Sequence, residues 1–226
     1  MIKSLLYKEW LKVRWSYIGL VLINLIVAVN ICVSLYNDFK FYKANQIYDD
    51  VLSWAYIFYI DLMYIPLATG LLLGVVQFFP EINSSRLKLT LHLPMSEAKS
   101  LLTMQFYGLS LLLILFIVDA VIVSLLTSSY FPSEVVNSFL IVSLPWFLAG
   151  LTAYIFISLI FVEPSWSRRI LLAVVGFGFV NVLFINMIAM GLEAIFSKSY
   201  FYFILITVLL TPIILLSGYN YKKGIR

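Results

Sequence analysis

The sequence predicts an all-α integral membrane protein, with six transmembrane helices preceded by an N-terminal amphipathic interfacial helix. Three observations predict it. Hydrophobic residues make up 63% of the 226 and charged residues only 12%, whereas soluble domains run nearer a quarter charged. The apolar residues gather into six long runs with short polar connections, and a bilayer core of about 30 Å takes roughly 20 apolar residues per helix. The basic residues, finally, concentrate in alternate connections, as cytoplasmic loops require. One transmembrane domain over 1–226 follows, with no room beside it for a soluble catalytic domain.

Residues Met1 to Trp15 place Ile2, Leu5, Leu6, Trp10 and Val13 at helical spacing, with Ser4, Lys8 and Lys12 on the other side. This pattern predicts an interfacial helix over 1–15, its tryptophans at the headgroup level and its lysines toward an anionic leaflet. The basic start before an apolar run also resembles a signal peptide. The run is long enough to cross a bilayer and lacks an A-x-A-like cleavage site, so it is expected to stay as the first span, 17–35. The single cysteine, Cys32, lies within it, which leaves no disulfide framework and no cysteine metal site within one chain.

A polar loop with Asp38, Lys40, Lys43, Asp49 and Asp50 leads to a second expected span, 54–79. It contains Asp61 and Pro66. Its Leu, Ile, Val and Phe residues, at roughly −0.3 to −0.6 kcal/mol each, outweigh one aspartate at about +3 kcal/mol. The most polar interior segment follows at 80–100, carrying Glu81, Arg86, Lys88, His92, Glu97 and Lys99. Lipid cannot solvate those charges, so the segment must meet water or another protein. Pro94 is read as ending one element and Ser96 as capping the next. Four further spans are expected at 101–127, 138–162, 169–192 and 200–219, punctuated by Pro132, Pro164 and the Gly191 to Ser199 stretch.

Orientation follows from counting basic residues. One side holds Lys3, Lys8, Lys12, Arg14, Arg86, Lys88, Lys99, Arg168, Arg169, Lys222, Lys223 and Arg226, the other only Lys40, Lys43 and Lys198. The excess places both termini and the 80–100 segment in the cytoplasm, in a multi-pass protein of the cell membrane. The net charge of +4 is therefore a membrane-edge charge and implies no nucleic-acid partner.

No G-x-x-x-x-G-K-[ST] loop is present, so ATP-driven work would need another subunit. His92 has no second histidine or carboxylate cluster near it in sequence, and no metal site is expected. Asp61 and Asp119 fall within expected spans at similar depth, roughly 10 Å below the outer surface. They read either as a translocation or proton path or as interhelical glue. Asn181 and Asn186 in the fifth span carry the same two readings. The strings around the two aspartates lack the Tyr-Asp and Gly-x-Gly-Asp motifs of intramembrane aspartyl proteases, and no catalytic residue is assigned. Gly70 and Gly74 form a small-xxx-small face for close helix packing, as do Ala149 and Ala153, with the partner helix open between this chain and a second copy.

Three features together resemble the permease subunits of type 2 ABC exporters: the amphipathic start YKEWLKVRW, six spans with both ends inside, and the cytoplasmic segment EINSSRLKLTLHLPMSEAKSLL. The resemblance covers the whole chain. It implies a non-catalytic subunit that forms the translocation path and works as a homodimer or paralogous heterodimer in membrane lipid. Each copy would dock a cytoplasmic ABC ATPase that binds the ATP and Mg. The docking residues it implies are Glu81, Arg86, Lys88, His92 and Pro94. The chain departs from the family in its brief 191–199 connection and in lacking a glycine after the acidic and basic residues of the segment, which leaves subfamily and substrate open. Two other readings stand beside it: the six-span substrate-binding module of a vitamin-type importer, with Asp61, Asp119 and Tyr64 at an outer pocket, and a proton- or ion-coupled transporter using Asp61 and Asp119.

Overall fold

The computed structural model describes residues 2–42, 46–48, 57–83, 96–189 and 200–223, with side chains throughout except at 185–189, 200 and 222–223. Among the described residues, six helical stretches are long and apolar enough to cross a membrane, in agreement with the six runs of the sequence. Helix α1 spans Ile2–Phe41, α2 Ile65–Asn83, α3 Glu97–Tyr130, α4 Ser133–Val162 and α5 Trp166–Ala189. The last span is made of α6, Tyr200–Leu210, and α7, Ile214–Lys223, joined by a 3-10 turn at Thr211–Ile213. Pro212 sits in that turn, where its missing N–H and fixed φ interrupt the α ladder.

The start of the chain differs from the expectation of a separate interfacial helix. Ile2–Phe41 is one unbroken helix of 40 residues, about 60 Å long and so roughly twice the bilayer core. Residues 2–15 continue the first span because no glycine or proline interrupts them and because they have a face to bury. That face is Leu5, Glu9 and Val13, spaced i, i+4, i+8. Ile2 and Trp10, assigned to the apolar side by their spacing, remain exposed.

The second spanning stretch runs over Ile60–Asn83 but is not a single α-helix. Residues Ile60–Leu62 form a 3-10 turn, and α2 begins only at Ile65. Pro66 is compatible with this boundary, since a proline in the first helical turn loses no intrahelical hydrogen bond. At the other end α2 runs on to Asn83, through Pro80, and carries Glu81 as part of the helix. Ser96 takes the N-cap position of α3 with extended backbone but makes no side-chain capping bond.

Helix α4 is the hub, packing against α2, α3, α5, α6 and α7, while α1 lies on α2 and α3. The closest seam joins α2 to α4. A Cβ on Gly70 would fall on the Gly150 carbonyl oxygen, and one on Gly150 would meet the Pro66 carbonyl. The small face of α2 therefore finds its partner within the same chain, and only glycine permits that approach. Gly74 packs against Ile157 of α4 in the same seam. Beyond this seam the core splits into a cluster around Tyr154, Phe78 and Leu112 toward the start of α1, and an aromatic cluster around Phe58, Tyr59, Phe139 and Trp146 toward its end.

Candidate functional site

A buried polar network joins four helices at the end of the bundle where α1 begins and α2 finishes. Glu9 and Glu81 are 0% and 1% exposed, and neither is left without a cation. Lys12 Nζ lies 2.8 Å from Glu9 Oε2 and 3.1 Å from Glu81 Oε1. Lys8 Nζ approaches Glu81 Oε1 at 3.0 Å from the more exposed side. Two lysines and two glutamates thus cancel inside the protein, which is the condition under which charges can be buried at all. Lys8 and Lys12, expected to face an anionic leaflet, point instead into an ion cluster with α2.

The network continues through neutral groups. Gln77, one helical turn before Glu81, donates from Nε2 to Glu9 Oε2 at 2.9 Å and to the Met104 carbonyl of α3 at 2.8 Å. Its Oε1 accepts from the Tyr154 hydroxyl of α4 at 2.8 Å, and the same hydroxyl lies 3.1 Å from the Gln105 carbonyl. Gln105 Nε2 donates to Ser158 Oγ at 3.3 Å. A helix glycine makes this meeting possible, since a Cβ on Gly108 would occupy the space of the Tyr154 hydroxyl and Gln77 Oε1. Glu81, Lys12, Glu9, Gln77, Tyr154 and Gln105 therefore form one connected path across α1, α2, α3 and α4. Such a chain of bonds in a low-dielectric interior polarises and fixes its members together.

A second polar knot lies at the turn between α4 and α5. Glu163 is 3% exposed and sits 3.5 Å from Arg168 NH1 as an ion pair. Asn220 of α7 donates to its Oε2 at 3.5 Å, and Arg169 Nε donates to its carbonyl at 2.6 Å. The turn is thereby tied to the last helix.

The residues singled out from sequence fall in several places. Glu81 belongs to the buried network. Arg86, Lys88, His92 and Pro94, of the expected docking segment, lie outside the described residues. Asp61 lies in the 3-10 turn that opens the second spanning stretch, Ile60–Asn83. It is exposed and accepts from Asn30 Nδ2 of α1 at 2.9 Å. Asp119 is buried in α3 with neither carboxylate oxygen hydrogen-bonded, so no hydrogen bond joins the two acids. Asn181 turns its amide back to the Phe177 carbonyl of its own helix at 2.8 Å. Asn186 lies in α5, its side chain outside the described set. Gly70 and Gly74 serve the α2–α4 seam.

Sequence reasoning passed over Glu9, Gln77, Gln105, Tyr154 and Ser158. Their signal was present in the spacing: Gln77 and Glu81 are four apart and share a helix face, as do Leu5, Glu9 and Val13. Compared with known families, curated proteins and solved structures, the chain gives no significant match in any of the three.

Proposed function

We propose that this chain is the membrane-spanning permease subunit of an ATP-driven exporter. Both of its termini face the cytoplasm, and its 80–100 segment seats a separate ABC ATPase that supplies ATP and Mg chemistry. The observation that carries this reading is the anchoring of Glu81. The last turn of α2, where the polar segment departs, is held by Lys8 and Lys12 of α1. It is linked through Gln77 and Tyr154 to α3 and α4. A displacement delivered to the segment by ATPase closure would reach four helices at once instead of bending one free end. The absence of a phosphate-binding loop in the sequence assigns hydrolysis to the partner, and the subunit is non-catalytic. The exposed Trp15 and Trp166, each beneath an arginine at 5.5 and 5.3 Å, suit a lipid interface. The permease works as a dimer, with a second copy or a paralogue completing the path.

Expression of the chain together with the genes that flank its own tests the proposal. The expected outcome is a stable complex whose ATPase activity depends on the permease, and whose assembly is lost in Arg86→Glu with Lys88→Glu. Failure of any ATPase to co-purify, together with transport unaffected by those changes and by Glu81→Gln, would falsify it.

A further inference from the structure

A groove runs along the membrane-facing side of the bundle between α2 and α5, with α4 as its floor. Its volume is about 520 Å³, and Leu67 and Leu71 form one wall, Phe156 and Ile160 the floor, and Ala173 and Phe177 the other wall. That size and that lining suit a small-molecule site. At one end Tyr64 stacks on Phe184, ring centroids 5.6 Å apart, and bridges the two walls. At the other end the lining reaches Ala173, one helical turn from Arg169 at the start of α5.

That end carries charge. Arg169, Ala173, Gly176 and Val180 recur at i, i+4, i+7 and i+11, so Arg169 shares the helix face that lines the groove. Its Nε is held by the Glu163 carbonyl, and its guanidinium lies 5.3 Å over the Trp166 ring, leaving the terminal nitrogens without a hydrogen bond among the described residues. Arg168 is half-exposed beside it and shares the buried Glu163 carboxylate with Asn220. Two arginines against one carboxylate leave a net positive rim. From Ala173 to Phe184 the groove extends about 16 Å along α5, close to the thickness of one leaflet of a core of about 30 Å.

From the apolar groove, its leaflet-matched length and the cationic rim one helical turn beyond its Ala173 end, we infer that this is a binding site for an anionic phospholipid. One acyl chain lies along α5, and the phosphate meets Arg169 and Arg168. The ligand comes from the leaflet at the Arg169 end, which is the cytoplasmic leaflet in the orientation proposed above. The site itself does not depend on whether an ATPase docks. Trp166 marks the headgroup level, and the Tyr64–Phe184 stack sets the depth to which a chain can reach.

Native mass spectrometry of the purified protein with equimolar phosphatidylglycerol and phosphatidylcholine of the same chains tests this. The wild type should retain the anionic lipid in about fivefold preference, the discrimination expected of one arginine at an anionic surface. Arg169→Gln should bring the ratio near unity. Ala173→Trp and Leu71→Trp fill the groove from opposite walls, and each should lower the load of both lipids with the ratio unchanged. Having two filling variants separates groove loss from misfolding of either one, and unfolding temperature is read in parallel. A wild-type ratio near unity, or a wild-type lipid load in both filling variants at normal stability, would overturn the proposal. Displacement of the lipid by excess inorganic phosphate alone would also overturn it, since the site would then be one for free anions.

Discussion

The hydroxyl of Tyr154 shows how much one polar atom carries when it is fully buried. It lies at hydrogen-bonding distance from both Gln77 Oε1 and the Gln105 carbonyl, and no water can replace it at 0% exposure. Tyr154→Phe keeps the ring packing and removes only the oxygen, which leaves an amide acceptor unsatisfied. The expected cost is about 1–3 kcal/mol, read as a lower unfolding temperature in detergent with an unchanged helical signal. Asp119 predicts the opposite sign. Its carboxylate is buried without a hydrogen bond, so Asp119→Leu removes a group that costs free energy to desolvate. The variant should be more stable by about 1–3 kcal/mol; a loss of stability would mean that the carboxyl has a partner in the membrane. The two residues explain what was legible. Asp119 was singled out because an acid inside an apolar run stands out. Glu9 and Tyr154 did not, because burial is set by which helices meet and not by position along a run. Glu9 sits among charged neighbours and looks solvated until α2 packs over it.

At the scale of helices, the α2–α4 seam is defined by two glycines, which gives a paired experiment. Gly150→Ala places a methyl against the Pro66 carbonyl and the Phe116 ring, so the two helices must move apart along the tightest contact in the bundle. Overpacking of this kind costs about 1–3 kcal/mol or more, and thermal unfolding measured beside the wild type should show it. Gly178→Ala on α5 is the control, because a Cβ there meets nothing within 4 Å. That change should be neutral or stabilising by up to about 1 kcal/mol, since alanine is the better helix former. If both substitutions behaved alike, the seam would not be the packing contact described. The small-xxx-small spacing at Gly70 and Gly74 was readable from sequence as a packing face, but its partner was not, since many helices offer small residues and only the fold pairs them. The number of spans was equally readable, because a run of apolar residues long enough to cross lipid has few other uses. Their ends were not. The second spanning stretch opens with a 3-10 turn before its α-helix begins, and continuous helical sequence with a face to bury merged residues 2–15 with the first span.

For the whole molecule, the proposed function rests on which side of the membrane the polar network faces, and six crossings make that a single binary question. With six spans the two termini share a side. The α2–α3 and α4–α5 connections lie on that same side, and the α3–α4 turn lies on the other. In the proposed orientation the first side, which carries the excess of basic residues, is the cytoplasm. A single-cysteine series decides it: with Cys32→Ser as background, Ser129→Cys in the last turn of α3 and Ser167→Cys at the start of α5 place one exposed thiol at each end of the bundle. In sealed right-side-out vesicles a membrane-impermeant maleimide should label Ser129→Cys directly and Ser167→Cys only after permeabilisation. The same vesicles report on the network, because Glu81 lies at the Ser167 end of the bundle, in the last turn of α2, and α4 carries the chain from the Ser129 end to that level. Labelling in the reverse order would put Glu81, the Arg168–Arg169 rim and the 80–100 segment outside the cell, beyond the reach of any cytoplasmic ATPase. The proposed docking would then fail, while the four-helix network and the lipid groove would stand as features of the opposite leaflet.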